Sequence, residues 1–311
     1  MKCARSITVV AFLFLFVSVG YGQVDSKTSS SELPSLPTQT EGSPSLGFAG
    51  MVGGAIDDVL IAAGGANFPD GLPWKAGKKV YSDKIYILKD DYWRLSKERL
   101  PSPLAYGASV SIPEGVLIMG GEDGTSTSDK VFLLRYNSSE DIIEITDYPP
   151  LPEPLAYSTS VLEDDFVYVV GGKNSEKSVN SLYRMSLKDK SNWEKLNDFP
   201  GTPRALHAAA VQETKDSRKL FVIGGRNQIT GKKSETLTDY LSYDLNEGIW
   251  ENEGEITING KSRVLMGASA EAMGSMHLII YGGSDEVLFD QLEHIGLELA
   301  PNVPSQISSD H

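Results

Sequence analysis

A short β-prone run ending in Gly-Gly occurs five times along this 311-residue chain, and nothing else in it narrows the choice of fold so far. The runs are Leu60-Ile61-Ala62-Ala63-Gly64-Gly65, Leu117-Ile118-Met119-Gly120-Gly121, Val167-Tyr168-Val169-Val170-Gly171-Gly172, Leu220-Phe221-Val222-Ile223-Gly224-Gly225 and Leu278-Ile279-Ile280-Tyr281-Gly282-Gly283. Their first glycines are 56, 51, 53 and 58 residues apart, a period that marks a repeat architecture. Each copy is preceded by another β-prone segment, such as Tyr106-Gly107-Ala108-Ser109-Val110 or Tyr157-Ser158-Thr159-Ser160-Val161. A polar loop and a third strand follow, at Asp83-Lys84-Ile85-Tyr86, Asp129-Lys130-Val131-Phe132, Asn180-Ser181-Leu182-Tyr183 and Asp239-Tyr240-Leu241. A fourth strand carries Trp93, Trp193 or Trp250, with Ile143-Glu144-Ile145 in that place in the second copy.

Four short strands per unit at this period predict an all-β fold, a kelch-type β-propeller. The glycine doublets are expected where neighbouring backbones crowd the channel and a Cβ would obstruct them. The tryptophans and third-strand aromatics are expected to lie between adjacent sheets and supply most of the burial there. Blades are expected near 46–100, 101–150, 151–200 and 201–255, with a partial one at 256–311. After Gly283 no third- and fourth-strand pattern is readable. Phe289-Asp290-Gln291-Leu292-Glu293 reads as a helical insertion and Pro301-Asn302-Val303-Pro304-Ser305 as irregular. Five blades are thus recognisable. The reading is of a six-bladed fold with its sixth blade absent or truncated, in preference to a five-bladed ring, because a propeller must close to cover its edges.

The first 22 residues read differently. Lys2 and Arg5 precede the uncharged apolar run Ile7–Val19, and Gly20 and Gly22 stand at the −3 and −1 positions of a cleavage site before Gln23. Thirteen apolar residues fall short of the roughly 20 that span a bilayer, so a signal peptide is expected in preference to a membrane anchor. The one cysteine, Cys3, lies within that segment, which excludes disulfides and thiolate–metal sites from a cleaved chain. Export without disulfides points to a bacterial periplasm or secretion. Residues 23–45 are Ser/Thr/Pro-rich and read as a flexible leader to a domain at 46–311.

Composition excludes further classes. With 42 acidic against 28 basic residues the net charge is −14, which argues against nucleic acid or an anionic membrane as partner. No P-loop, dinucleotide fingerprint or Gly-x-Ser-x-Gly occurs, and His277, His294 and His311 show no metal-ligand spacing, so no metal or cofactor is expected. Residues directly after the doublets (Ala66, Glu122, Lys173, Arg226 and Ser284) align as one column at a channel mouth. The starts of the innermost strands align as Gly50, Tyr106, Tyr157, His207 and Met266, with Arg204 just before His207. One acid and several cations so placed suit a small sugar acid.

Gly47-Phe48-Ala49-Gly50 with Ala62-Ala63-Gly64-Gly65-Ala66-Asn67-Phe68-Pro69-Asp70-Gly71 resembles the kelch-type sialic acid mutarotases, also called N-acetylneuraminate epimerases. Ala105-Tyr106-Gly107, Met119-Gly120-Gly121-Glu122, Pro203-Arg204, Met266-Gly267 and Tyr281-Gly282-Gly283 continue the resemblance from about Leu46 to Ala300. The blade order is similar to that of the cyclically permuted group. The resemblance implies exchange of the α and β anomers of N-acetylneuraminate or a related sugar acid, without a cofactor. The family's catalytic carboxylate belongs to a blade not readable here, so the resemblance implies impaired turnover, with Glu122 as the candidate proton shuttle. Arg204, Arg226 and Lys173 are the expected partners of a sugar carboxylate, and Tyr106, Tyr157, His207 and Asn67 the expected lining. The alternative is a non-catalytic propeller that binds a protein or carbohydrate. The oligomeric state is not readable.

Overall fold

The computed structural model describes residues 32–37, 45–71, 75, 77–190, 192–215, 217–275, 277–284, 287, 290 and 293. Residues 1–22, expected to be a signal peptide, part of the expected leader and the tail 301–311 lie outside them. Among the described residues the elements are β-strands apart from helical backbone at Val287, Asp290 and Glu293, the last two inside the expected insertion, and a 3-10 position at Lys75. Each repeat is an antiparallel meander. The first has strands Ala49–Ile56, Val59–Asn67, Lys84–Lys89 and Tyr92–Arg99, plus a short Val80–Tyr81 strand on the second. The second has Ala108–Ile112, Gly115–Met119, Val131–Asn137 and Ile142–Tyr148. Thr159–Glu163, Phe166–Val170, Leu182–Ser186 and Glu194–Lys195 make the third, and Ala208–Glu213, Arg218–Ile223, Asp239–Asp244 and Trp250–Glu255 the fourth. Met266–Met273 and His277–Ser284 pair as the described part of a fifth. Consecutive sheets pack face to face, as blades of a kelch-type β-propeller.

In the second, third and fourth blades the inner part of the second strand is buried on both sides, so its alternating residues serve two interfaces. In the second blade, Val116 and Ile118 pack with Val52, Ile61 and Ile85 of the first. Leu117 and Met119 face the other way, onto Val167, Val169 and Met185 of the third. Third-strand aromatics and tryptophans do lie in these layers, as Tyr183 and Trp193 show, but aliphatic side chains, many of them from the second and third strands, outnumber them there. The tryptophans clasp the rim. Each indole N–H donates to a carbonyl of the segment leading out of the preceding blade: Trp193 to Pro149 at 2.9 Å and Trp250 to Asn197 at 2.8 Å.

Trp93 makes the same bond, at 2.9 Å, to the carbonyl of Pro34. Leu36 packs with Tyr86, Leu88 and Trp93, much as Leu151 packs with Tyr183 and Trp193. Residues 32–37, read from composition as part of a flexible leader, therefore occupy the place of an inter-blade connection against the first sheet. Leu36→Ala is expected to lower unfolding stability by about 1–2 kcal/mol, the lower range for a half-buried leucine. Urea denaturation checks this, and an unchanged midpoint would mean the segment rests there without holding.

The doublets behave as expected, with a division of labour. Both glycines of every pair have positive φ. A Cβ on the first would strike a carbonyl oxygen of the next blade: Leu104 at 2.2 Å from Gly64, Leu155 at 2.1 Å from Gly120 and Leu265 at 2.5 Å from Gly224. The second glycine donates its N–H to that same carbonyl, at 2.7 Å from Gly65 and from Gly121 and 2.8 Å from Gly225. Adjacent blades are thus joined by a backbone bond that a side chain would block.

Candidate functional site

A chain of backbone bonds runs around the inner ends of the blades. Tyr106 N–H donates to Gly50, Tyr157 to Tyr106, Leu206 to Tyr157 and Gly267 to Leu206, at 2.7–3.1 Å. All five residues have φ between 57° and 64°, a conformation that bulky residues rarely hold. The inner column is therefore Gly50, Tyr106, Tyr157, Leu206 and Gly267. This corrects the last two positions of the sequence alignment, which had His207 and Met266, by one residue each. The column after the doublets is in register as read: Ala66, Glu122, Lys173, Arg226 and Ser284 pair with Ala49, Ala105, Ala156, Ala205 and Met266.

Glu122 is where these columns generate chemistry. Its Oε1 accepts the phenol hydrogens of Tyr157, at 2.7 Å, and Tyr81, at 2.9 Å. Lys79 Nζ stands 3.9 Å from the same oxygen. Tyr157 stacks on Tyr106 with ring centroids 4.5 Å apart, and Lys79 Nζ lies 4.3 Å from the centre of the Tyr106 ring. Lys173 Nζ is 5.7 Å from the Tyr157 ring centre. Burial first, and then the Glu122 carboxylate, raise the pKa of both Tyr81 and Tyr157, so both phenols stay protonated donors at neutral pH. None of these contacts uses Oε2. A carboxylate, two fixed O–H donors and a stacked aromatic pair from three successive blades thus converge on one spot. They can move a proton and bind the apolar face of a sugar ring.

The other expected site residues divide. Lys173 lies beside the cluster. Asn67 pairs with Val80, next to Lys79 and Tyr81, and its amide donates to the Gly47 carbonyl at 3.0 Å. Arg204 is fully buried and forms a bidentate pair with Asp239 at 3.1 and 2.9 Å, with a further bond of 3.2 Å to the Gly224 carbonyl. It occupies the position held by Leu104, Leu155 and Leu265 in other blades: its carbonyl accepts the Gly172 N–H of the third blade at 2.8 Å, and its side chain is bound within the fourth instead of facing a ligand. Arg226 sits in the mouth column, yet its Nη2 is held by Glu293 Oε1 at 2.7 Å.

His207 is buried under Gly171, whose added Cβ would lie 2.7 Å from its ring. Burial, reinforced by the Arg204 charge, holds its pKa down at about 3 against an ordinary 6.5. It is therefore a neutral packing residue, not a proton shuttle. Because the unfolded chain takes up a proton below 6.5 that the folded chain refuses until about 3, stability is complete above that window and lost as pH falls through it. The expected loss from this residue is about 2 kcal/mol between pH 7 and pH 5. Urea midpoints at both pH values check it: His207→Leu should flatten the slope, and equal slopes in variant and parent would contradict it.

Lys79 and Tyr81 were not legible as site residues. They come from the loop and extra strand after the first doublet, outside the repeat, and the pairing of Val80–Tyr81 with Ala66 and Asn67 brings them to Glu122.

Known proteins bear on this geometry. A family model described as N-acetylneuraminate epimerase matches residues 18–143 and 148–295. The N-acetylneuraminate epimerase of Vibrio cholerae serotype O1 is 36% identical over 127 residues, 36% of this chain and 31% of the relative. That of Yersinia enterocolitica is 37% identical over 118 residues, 33% of this chain and 30% of the relative. The matched part of the chain thus spans about a third of the length of these curated relatives. The solved structure of YjhT superposes with a TM-score of 0.63 and 14% identity, covering 79% of each chain, which shows a shared fold.

Proposed function

The chain belongs to the N-acetylneuraminate epimerase family, and on that premise we propose that it interconverts the α and β anomers of N-acetylneuraminate or a closely related sugar acid. The observation that carries this reading is the convergence of Tyr81, Tyr157 and Lys79 on one oxygen of Glu122 at the inner ends of the blades. In the reaction, Glu122 takes the proton of the anomeric hydroxyl. The O–H electron pair becomes the carbonyl bond of the open-chain sugar, and the ring C–O pair leaves to the ring oxygen. Glu122 returns the proton there. Rotation of the carbonyl and the reverse steps give the other anomer, with no net change in protons or electrons. The two phenols hold Glu122 in place, and the Tyr106–Tyr157 pair offers a stacking face to the sugar. The lysines beside it favour an anionic substrate in a chain whose overall charge is −14.

We further propose that residues 1–22 direct export and are removed, so that the mature protein begins at Gln23. Intact mass of the exported protein tests this, and a chain still carrying Met1 or Lys2 would refute it. The sugar reading is tested by calorimetric titration with N-acetylneuraminate. Saturable heat, weakened severalfold in Tyr157→Ala, is expected. Absence of heat with the sugar, together with stoichiometric capture of a protein partner, would favour the non-catalytic propeller.

A further inference from the structure

Glu293 is an odd guest at the mouth. It comes from the helical segment, 67 residues beyond Arg226, yet it fills a set of donors built for a carboxylate. Arg226 Nη2 and Ser234 Oγ–H both reach Oε1 at 2.7 Å, and the Ser234 backbone N–H donates to Oε2 at 3.1 Å. Arg226 also contacts Ser234 Oγ directly, so the cation and the hydroxyl are set relative to each other by the hairpin Arg226–Asn227 and Glu235–Thr236. The donors are the deep part: the Arg226 side chain is 5% exposed and that of Glu293 19%. The anion is therefore the outer, replaceable element. Its second hold, the Lys233–Asp290 pair one helical turn earlier, lies at 69% and 36% exposure, where ion pairs contribute little. Arg226 follows its doublet as Glu122 and Lys173 follow theirs, so the donor set opens on the same mouth as the Glu122 cluster.

We propose that Arg226 and Ser234 form a carboxylate-binding site, that Glu293 occupies it as a tethered stand-in, and that the carboxylate of an acidic ligand takes it over by displacing Glu293. A guanidinium N–H, a hydroxyl and a backbone amide give a carboxylate more charge-assisted bonds than water does. A tethered competitor lowers the apparent affinity of any free carboxylate by the fraction of molecules in which it is seated. For the identity of the ligand, the proposal rests on the sugar-acid reading. The donor set itself is independent of that reading.

The two are separated by using two probes. Acetate is titrated into the full chain and into Glu293→Ala, following the Ser234 amide by NMR. The variant should shift saturably with acetate, at least about tenfold more tightly than the parent, and adding Arg226→Ala should abolish the response. No response in a folded Glu293→Ala would overturn the site, and so would equal responses in variant and parent. Glu293→Gln, which keeps the side chain, guards against loss of fold. Hydrogen exchange of the unaltered chain gives a further reading: acetate should speed exchange around Val287 and Glu293 while Ser234 stays protected, and unchanged exchange there would overturn displacement. The second probe is N-acetylneuraminate against its methyl ester. Glu293→Ala should tighten binding of the acid about tenfold and leave the ester unchanged. Acetate binding without sugar binding would keep the carboxylate site and sink the mutarotase reading. Sugar turnover with no acetate response would do the reverse.

Discussion

Glu122→Gln is expected to slow anomer exchange by roughly 10²–10⁴, the usual consequence of removing a general acid–base group. The amide retains a carbonyl oxygen for the Tyr81 and Tyr157 hydroxyls, which donate to Oε1 at 2.9 and 2.7 Å. The stacked tyrosines and the inner backbone bonds should therefore survive, and the urea midpoint should move by less than about 1 kcal/mol. The Lys79 contact, at 3.9 Å and partly exposed, adds little to that figure. Tyr81→Phe and Tyr157→Phe remove one donor each and should cost less, about tenfold, because they only position the carboxylate. NMR exchange rates with matched sugar-binding heats separate the cases. A Gln variant that binds and turns over like the parent would move the chemistry elsewhere.

Gly120→Ala should be severely damaging, costing about 4 kcal/mol or more. Two independent causes meet there. The residue has a φ of 63°, which an L-alanine holds only under strain, and its Cβ would lie 2.1 Å from the Leu155 carbonyl oxygen. That carbonyl is backbone and already accepts the Gly121 N–H at 2.7 Å, so it cannot yield without opening the joint between the second and third blades. Gly282→Ala separates the causes, since φ is 72° there and no atom of the described residues lies within 4 Å of an added Cβ. It should cost only the backbone strain, about 1–2 kcal/mol. Equal losses at the two positions in urea denaturation would show that close approach between blades is not what the doublets provide.

The blades were legible because a propeller repeats one packing problem. The doublets, third-strand aromatics and rim tryptophans each solve it locally, so their spacing carries the fold. The mouth column was legible for the same reason: Glu122, Lys173 and Arg226 each follow a doublet. What escaped was set by contacts between distant segments. Arg204 looks like an available cation until Asp239 arrives from 35 residues away. Arg226 is likewise claimed by Glu293, and Lys79 and Tyr81 reach Glu122 only through an extra strand. His207 was displaced by one residue because Leu206, not a tyrosine or glycine, fills the fourth left-handed position. The docking of Pro34–Leu36 did leave a trace. Leu33-Pro34-Ser35-Leu36-Pro37 follows the pattern of Tyr148-Pro149-Pro150-Leu151-Pro152, which precedes the third blade.

Glu122, held by the phenols of Tyr81 and Tyr157, is the group proposed to exchange the anomers of a sugar acid. One-dimensional proton NMR of α-N-acetylneuraminate, followed from the moment of its release with the full chain present, tests it most directly. The β signal should grow faster than in buffer, in proportion to protein concentration, and Glu122→Gln should remove the acceleration. Growth at the buffer rate at every protein concentration would contradict it.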